Sequence, residues 1–234
     1  MKKLTTLLLA LLLLLALSAA AAAEKTDWYD KSYDFTKVKR ALIYDVTLTD
    51  RAEFDSDLLD RVLQEEYLKN AQRPKYEAVS LEQAIRRISL VEGTNLDTLW
   101  QQDKAKAEEI FSRCLPQVAD VYINAELLKW HDDFHIVPQY TSWETKTITR
   151  THKNKDGSTY TTKDYITVPV VHPPRRVDTS TVRLRFDVYD SATGKLVMSR
   201  DELRLRDDST HGEKGIFGRI CKSFFDDFKS KLKG

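Results

Sequence analysis

Runs of apolar residues change period several times along the chain, and each change marks an element. Val38 to Leu48 is β-branched and apolar enough for a buried strand. From Phe54 to Asn70 the spacing is helical, with Phe54, Leu58, Leu59, Val62 and Leu63 on one face and Asp60, Arg61, Gln64 and Glu65 opposite. Pro74 prevents this helix from continuing. Tyr76 to Val79 predicts a short strand. Ser80-Leu81-Glu82-Gln83 is a capping box opening a helix that Gly93 ends, with Leu81, Ala84, Ile85 and Ile88 inward. Thr94 can cap a further helix reaching about Cys114, with Leu96, Leu99, Trp100, Ala107, Ile110 and Phe111 inward and Pro116 as its stop.

The second half reads mostly as strand. Ala119, Val121, Ile123, Ala125 and Leu127 alternate with Asp120, Tyr122, Asn124 and Glu126. Val182, Leu184, Phe186 and Val188 alternate with Arg183, Arg185, Asp187 and Tyr189, and the turn Asp190 to Lys195 returns the chain through Leu196 to Leu205 as a hairpin. Ile216 to Leu232 is a helix with the stripe Phe217, Ile220, Cys221, Phe224, Phe228 and Leu232; Lys229, Lys231 and Lys233 suit its negative end. Between about 140 and 171 the pattern differs. Asp156-Gly157 marks a tight turn between Trp143–His152 and Thr159–Val168, and nine residues from 141 to 167 are threonine. Thr145, Thr147, Thr149 and Thr151 alternate with Glu144, Lys146, Ile148 and Arg150, so neither face reads as apolar and the ribbon is expected to project from the domain. The return through His172-Pro173-Pro174-Arg175-Arg176 is stiff and extended.

The first 23 residues stand apart: Lys2 and Lys3, a Leu-rich run from Leu4 to Leu17, then Ala19 to Ala23. This is the pattern of a secretory signal peptide cut before Glu24. No cysteine follows the apolar run before Cys114, so a lipidated anchor is excluded, and no later segment has the length of a membrane-spanning helix. The expected mature protein, residues 24–234, is periplasmic or extracellular and not lipidated. Net charge is +1, and loss of Lys2 and Lys3 takes it to −1 (35 basic against 36 acidic), which gives no case for general binding to nucleic acid or anionic lipid. The two cysteines, Cys114 and Cys221, match no CxxC or zinc spacing. In an oxidising compartment they form a disulfide or remain two buried thiols; their spacing decides neither.

The order of elements predicts a single α/β (α+β) domain, a mixed sheet packed with helices, carrying a β-hairpin insertion at about 140–171. Two stretches, Ala119-Asp120-Val121-Tyr122-Ile123 and Val182 to Val188 with its Asp190…Thr193-Gly194-Lys195 turn, carry a further observation. With the element order they resemble the small periplasmic domain of the curli-secretion lipoprotein, the amino-terminal part of TolB and related envelope proteins. The resemblance covers most of residues 35–206 and implies that fold and an envelope location. The chain departs from those families in lacking the lipidated cysteine and in carrying the polar hairpin.

Candidate chemistry is sparse. His131 and His135 with Asp132 and Asp133 between them would share a helix face, but they follow a strand that is running out into an expected solvated loop. Residues four apart in a strand are about 13 Å from one another, so no metal site is expected. Ile43-Tyr44-Asp45-Val46-Thr47 lacks the second acid of an aspartyl-phosphate phosphatase, and no G-x-S-x-G, P-loop or G-x-G-x-x-G occurs. No catalytic residue and no cofactor is therefore assigned. The expectation is a non-enzymatic binding or scaffolding module whose hairpin contacts another envelope protein or a second copy, with Trp143, Tyr160, Tyr165, Arg175 and Arg176 as contact residues. A subunit of a ring-forming export complex, by analogy with the curli-secretion family, is the alternative; a third is an exported hydrolase with an unrecognised site. A membrane-inserting ribbon would need one apolar face along about 9–11 residues, which this one does not offer.

Overall fold

The computed structural model describes residues 23–49, 57–73, 75–207 and 212–233. The predicted leader, apart from Ala23, lies outside the described residues, as do Phe54 and the helix stop at Pro74.

Residues up to Asp132 and from Thr179 onward form one compact unit. Its sheet has six strands in the order β1-β8-β7-β4-β2-β3. These are β1 (Ala23–Tyr29), β2 (Arg40–Leu48), β3 (Glu77–Ser80), β4 (Val121–Val137), β7 (Arg175–Asp190) and β8 (Leu196–Asp207). β2 pairs in parallel with β3 and β4, whereas β8 pairs antiparallel with β1 and β7, so the sheet is mixed. The helices are α1 (Asp57–Ala71), α2 (Leu81–Glu92), α3 (Leu96–Gln102), α4 (Lys104–Val118) and α5 (Gly212–Lys231).

Alternation along the strands sorts side chains to two faces. Ala41, Ile43, Val121, Ile123, Val182, Leu184, Phe186 and Val188 face α1 and α5, where they meet Leu63, Tyr67, Phe217, Phe224, Phe225 and Phe228. Phe186 stacks on Phe224 with centroids 4.1 Å apart. A Cβ at Gly218 would meet Glu66 Oε1 at 2.9 Å, so a larger residue there would displace that carboxylate. Leu42 and Val79 point the other way, into a second core built by α2, α3 and α4 from Ala84, Ile88, Leu96, Phe111, Leu115 and Val118.

Several expectations change. The single helix predicted up to Cys114 is two, with Asn95 rather than Thr94 capping the first through Thr98 N–H and Asp103 capping the second. α4 runs past Pro116 to Val118, because Leu115 and Val118 are buried and their packing outweighs the one missing N–H. β1 had no alternating apolar signal and was not predicted. The capping box at Ser80 and Gln83 forms as read, and Gly93 closes that helix at a left-handed φ of 63°. Cys114 and Cys221 are both free and buried, each in its own core with the sheet between them. A disulfide spans Cα atoms no more than about 7 Å apart, a closeness that two separate cores do not provide.

Residues Asp133–Asp178 form a second compact unit. Its centre is a two-stranded ribbon, β5 (Tyr140–Lys153) and β6 (Thr159–His172), paired without a bulge from Tyr140↔His172 to Lys153↔Thr159. Gly157, at φ 87°, makes the turn that Asp156-Gly157 predicted. The last residues of β4 and the first of β7 also belong to this unit.

Candidate binding surfaces

The pairing register assigns every ribbon residue to a face, because directly opposed residues share one. One face carries Thr141, Trp143, Thr145, Thr147, Thr149, Thr151 and Lys153 from β5. Opposite them stand Val171, Pro169, Thr167, Tyr165, Lys163, Thr161 and Thr159 from β6. Every one of these residues is exposed. Trp143 and Tyr165 stand out at 69% and 70% exposure.

The other face differs in its burial, while Glu144, Lys146, Arg150 and Asp164 keep it polar. All the half-buried positions of the ribbon lie on it: Ser142, Ile148, His152, Thr162, Asp164, Val168, Val170 and His172. Each end is closed by a cross-strand His–Tyr stack. His172 lies on Tyr140 with centroids 4.4 Å apart and shares a 2.7 Å hydrogen bond with Ser142. His152 lies on Tyr160 at 5.0 Å and shares a 2.8 Å bond with Thr162. Between the stacks, Arg150 pairs with Asp164 at 3.0 Å. The structure thus brings Trp143 and Tyr165 to one face and sends Tyr160 to the other.

Arg175 and Arg176 open β7 and are exposed; Arg176 pairs with Asp178 at 2.7 Å and lies over the Phe134 ring at 4.0 Å. His131 and His135 are not in a loop: β4 continues to Val137, and both histidines are exposed along it. Among the described residues, no three His, Cys, Asp or Glu side chains gather as a metal-holding group.

In the first unit, part of the sheet face opposite α1 and α5 is open. Its grid is set by register: Glu24, Leu203 and Arg183 in one row, Thr26, Asp201 and Arg185 in the next, Trp28, Ser199 and Asp187 in the third. These nine residues line a shallow depression of about 410 Å³. Arg183 grips Asp201 with two bonds of 2.8 Å, Arg185 approaches the same carboxylate at 3.6 Å, and Ser199 donates to Asp187 at 2.6 Å. Tyr122 and Tyr189 stack at 4.9 Å on the same side of the sheet. Trp28 remains 49% exposed. The polar set Arg183, Arg185 and Asp187 that alternates along β7 thus lies on an open face, and β1 extends it.

Behind the grid, Arg200 is 1% exposed and bonds Asp27 and Asp227, while Lys25 reaches both carboxylates at 3.0–3.1 Å. Burial pushes the Asp227 carboxyl up, but Arg200 and Lys25 outweigh it and hold the group below its ordinary range. This cluster fastens β1 to β8 and α5. Sequence reading missed it because its members are scattered over some 200 positions, from Lys25 to Asp227.

No protein-family model matches the chain, and no curated protein matches its sequence. Some solved structures align with it at low similarity. A PelC dodecamer from Paraburkholderia phytofirmans aligns at 7% identity and a TM-score of 0.44, over 89% of this chain and 98% of that one. A second PelC dodecamer from the same organism gives 10% identity and 0.40, over 90% and 97%. A hypothetical protein of Chlamydia trachomatis gives 11% identity and 0.37, over 83% and 98%. Likenesses this distant carry no argument about activity. Among the described residues no helix is long and apolar enough to cross a membrane.

Proposed function

We propose that this chain is an exported, non-catalytic binding module that engages another component of the cell envelope through the β5–β6 ribbon. The observation that carries this reading is the ribbon's uniform face, exposed at every position and bearing Trp143 and Tyr165. Large aromatic rings left in water cost free energy that a partner recovers by covering them, and such rings dominate binding energy at interfaces. Threonine keeps the intervening surface soluble while presenting hydroxyls and methyls together. The unpaired outer edges of a two-stranded ribbon add main-chain donors and acceptors for strand addition.

The test is capture from envelope extract by the full exported chain and by a variant in which a short Gly/Ser link replaces residues 142–167. The variant is expected to lose the partner while Trp143→Ala with Tyr165→Ala weakens it at intact fold. Undiminished capture by the replaced chain overturns the reading. A second reading, a subunit of a larger envelope assembly, draws on the half-exposed Trp28 in the open charged face of the six-stranded sheet. Loss of assembly in Trp28→Ala, with the ribbon intact, would favour it.

A further inference from the structure

The two edges of the ribbon are not equivalent, and the difference follows from one proline. In an antiparallel ladder, opposed residues alternate between pairs that exchange both backbone hydrogen bonds and pairs that exchange none. Pro169 has no N–H to give, so its pair with Trp143 is of the second kind and its nitrogen faces the outer edge of β6. That edge lacks a donor there and is guarded against strand addition. The same alternation turns the N–H and C=O groups of Trp143, Thr145, Thr147, Thr149 and Thr151 to the outer edge of β5. No proline interrupts β5.

We infer that this edge pairs antiparallel with β5 of a second copy of the chain, in the register centred on Thr147; the inference rests on the proposed role of the ribbon. A twofold axis normal to the ribbon keeps each face on its own side, so opposed residues must come from one face and the register must centre on a residue. Centring on Lys146 sets that lysine against itself, and centring on Ile148 sets Lys146 against Arg150; like charges directly opposed are unfavourable. Centring on Thr145 sets Glu144 against Lys146 but overlaps only 140–150. The register about Thr147 spans 141–153. It opposes Glu144 to Arg150 twice, Thr145 to Thr149 twice, and Thr147 to itself. Arg150 then lies between Asp164 of its own ribbon, 3.0 Å away, and Glu144 of the second copy.

Seven opposed pairs, from Thr141 to Lys153, exchange two bonds each, about fourteen hydrogen bonds in all. The product is a four-stranded sheet, β6-β5-β5-β6. A lone two-stranded ribbon is marginal in water, and three or more strands are what make such a sheet self-sufficient. Both copies also place their threonine faces side by side, doubling the surface that carries Trp143 and Tyr165.

Sedimentation of the full exported chain at micromolar concentration tests this with charge reversal. Wild type is expected to dimerise. Glu144→Arg and Arg150→Glu should each weaken the dimer about five- to tenfold, since each makes two like-charge oppositions. The combined variant should regain it. Under mild oxidation Thr147→Cys should link to its own counterpart, because Cα atoms in an exchanging pair lie about 5.5 Å apart, within disulfide reach. Tyr165→Cys, on the guarded strand, should not. A chain that stays monomeric, a dimer indifferent to both reversals, or linking through Tyr165→Cys as readily as through Thr147→Cys overturns the inference. A monomer that still captures an envelope partner through the ribbon sinks this inference alone. If replacing 142–167 disturbs neither self-association nor capture, the proposed function falls as well.

Discussion

At the scale of single residues, Arg200 is the position where structure and stability are most tightly joined. It is buried, and its guanidinium serves Asp27 and Asp227 while Glu202, also buried, is held by Arg204. Its partners Asp27 and Asp227 are exposed and regain water when it is removed, so Arg200→Ala should cost about 1.5–3 kcal/mol in urea unfolding, the scale of hydrogen bonds to charged groups. Asp227 gives the corresponding acid limb. Its folded pKa lies below the ordinary value, so the stability it contributes is present above the unfolded pKa, near 4, and is lost as pH falls through the folded one. Tm should drop as pH is lowered below about 4, and Asp227→Asn should flatten that drop while lowering Tm at neutral pH. The cysteines make the plainest case. Burial pushes the Cys221 thiol well up and, with Glu92 beside it, raises that of Cys114. Alkylation without reductant should label neither thiol in the native protein and both after denaturation; an unlabelled pair in denaturant would restore the disulfide.

At the scale of elements, the readings that succeeded rest on strict local rules. The Ser80–Gln83 box, the alternation from Val182 to Val188 and the stripe of α5 each carry their signal within a few residues. What was not legible depends on partners distant in sequence. β1 has no apolar period because one face joins the open grid and the other meets Arg200, so only its pairing with β8 makes it a strand. The extent of β4 past His131 was missed for the same reason. The ribbon itself was legible, including its turn, but not the inequality of its faces, which needs the register of β5 on β6. Replacing 142–167 by a Gly/Ser link should change the stability of the first unit by no more than about 1–2 kcal/mol, since loop length alone is a weak term. Phe186→Ala, which removes the ring stacked between Tyr67 and Phe224, should cost about 3–5 kcal/mol on the same measurement. Unfolding of the replaced chain would mean that the ribbon belongs to the core.

At the scale of the whole molecule, two units of unequal build share one chain. The first has two cores, one on each face of a sheet whose strand β2 contributes Ala41 and Ile43 to one and Leu42 to the other. Alternate residues of one strand cannot be released separately, so both cores should be lost in one transition. The second unit has a ribbon whose half-buried residues lie on one face only. Regions with few buried apolar contacts open at lower free energy than a packed core. Hydrogen exchange of the full chain should therefore show two tiers. Amides of β4 from Val121 to Leu127 and of β7 from Val182 to Val188 should exchange only on global unfolding, and those of Ser142, Glu144, Lys146 and Ile148, bonded within the ribbon, much sooner. The outward amides of Thr145, Thr147 and Thr149 add a reading that folding alone does not provide. In an isolated ribbon they face water and exchange at once, at any protein concentration. In the paired ribbon they are the bonds that join the two copies, so their protection should rise with concentration while that of Lys163, near the middle of β6, does not. Protection of both edges alike would place the contact elsewhere on the ribbon, and protection of neither would return the Thr147 register to an unused edge.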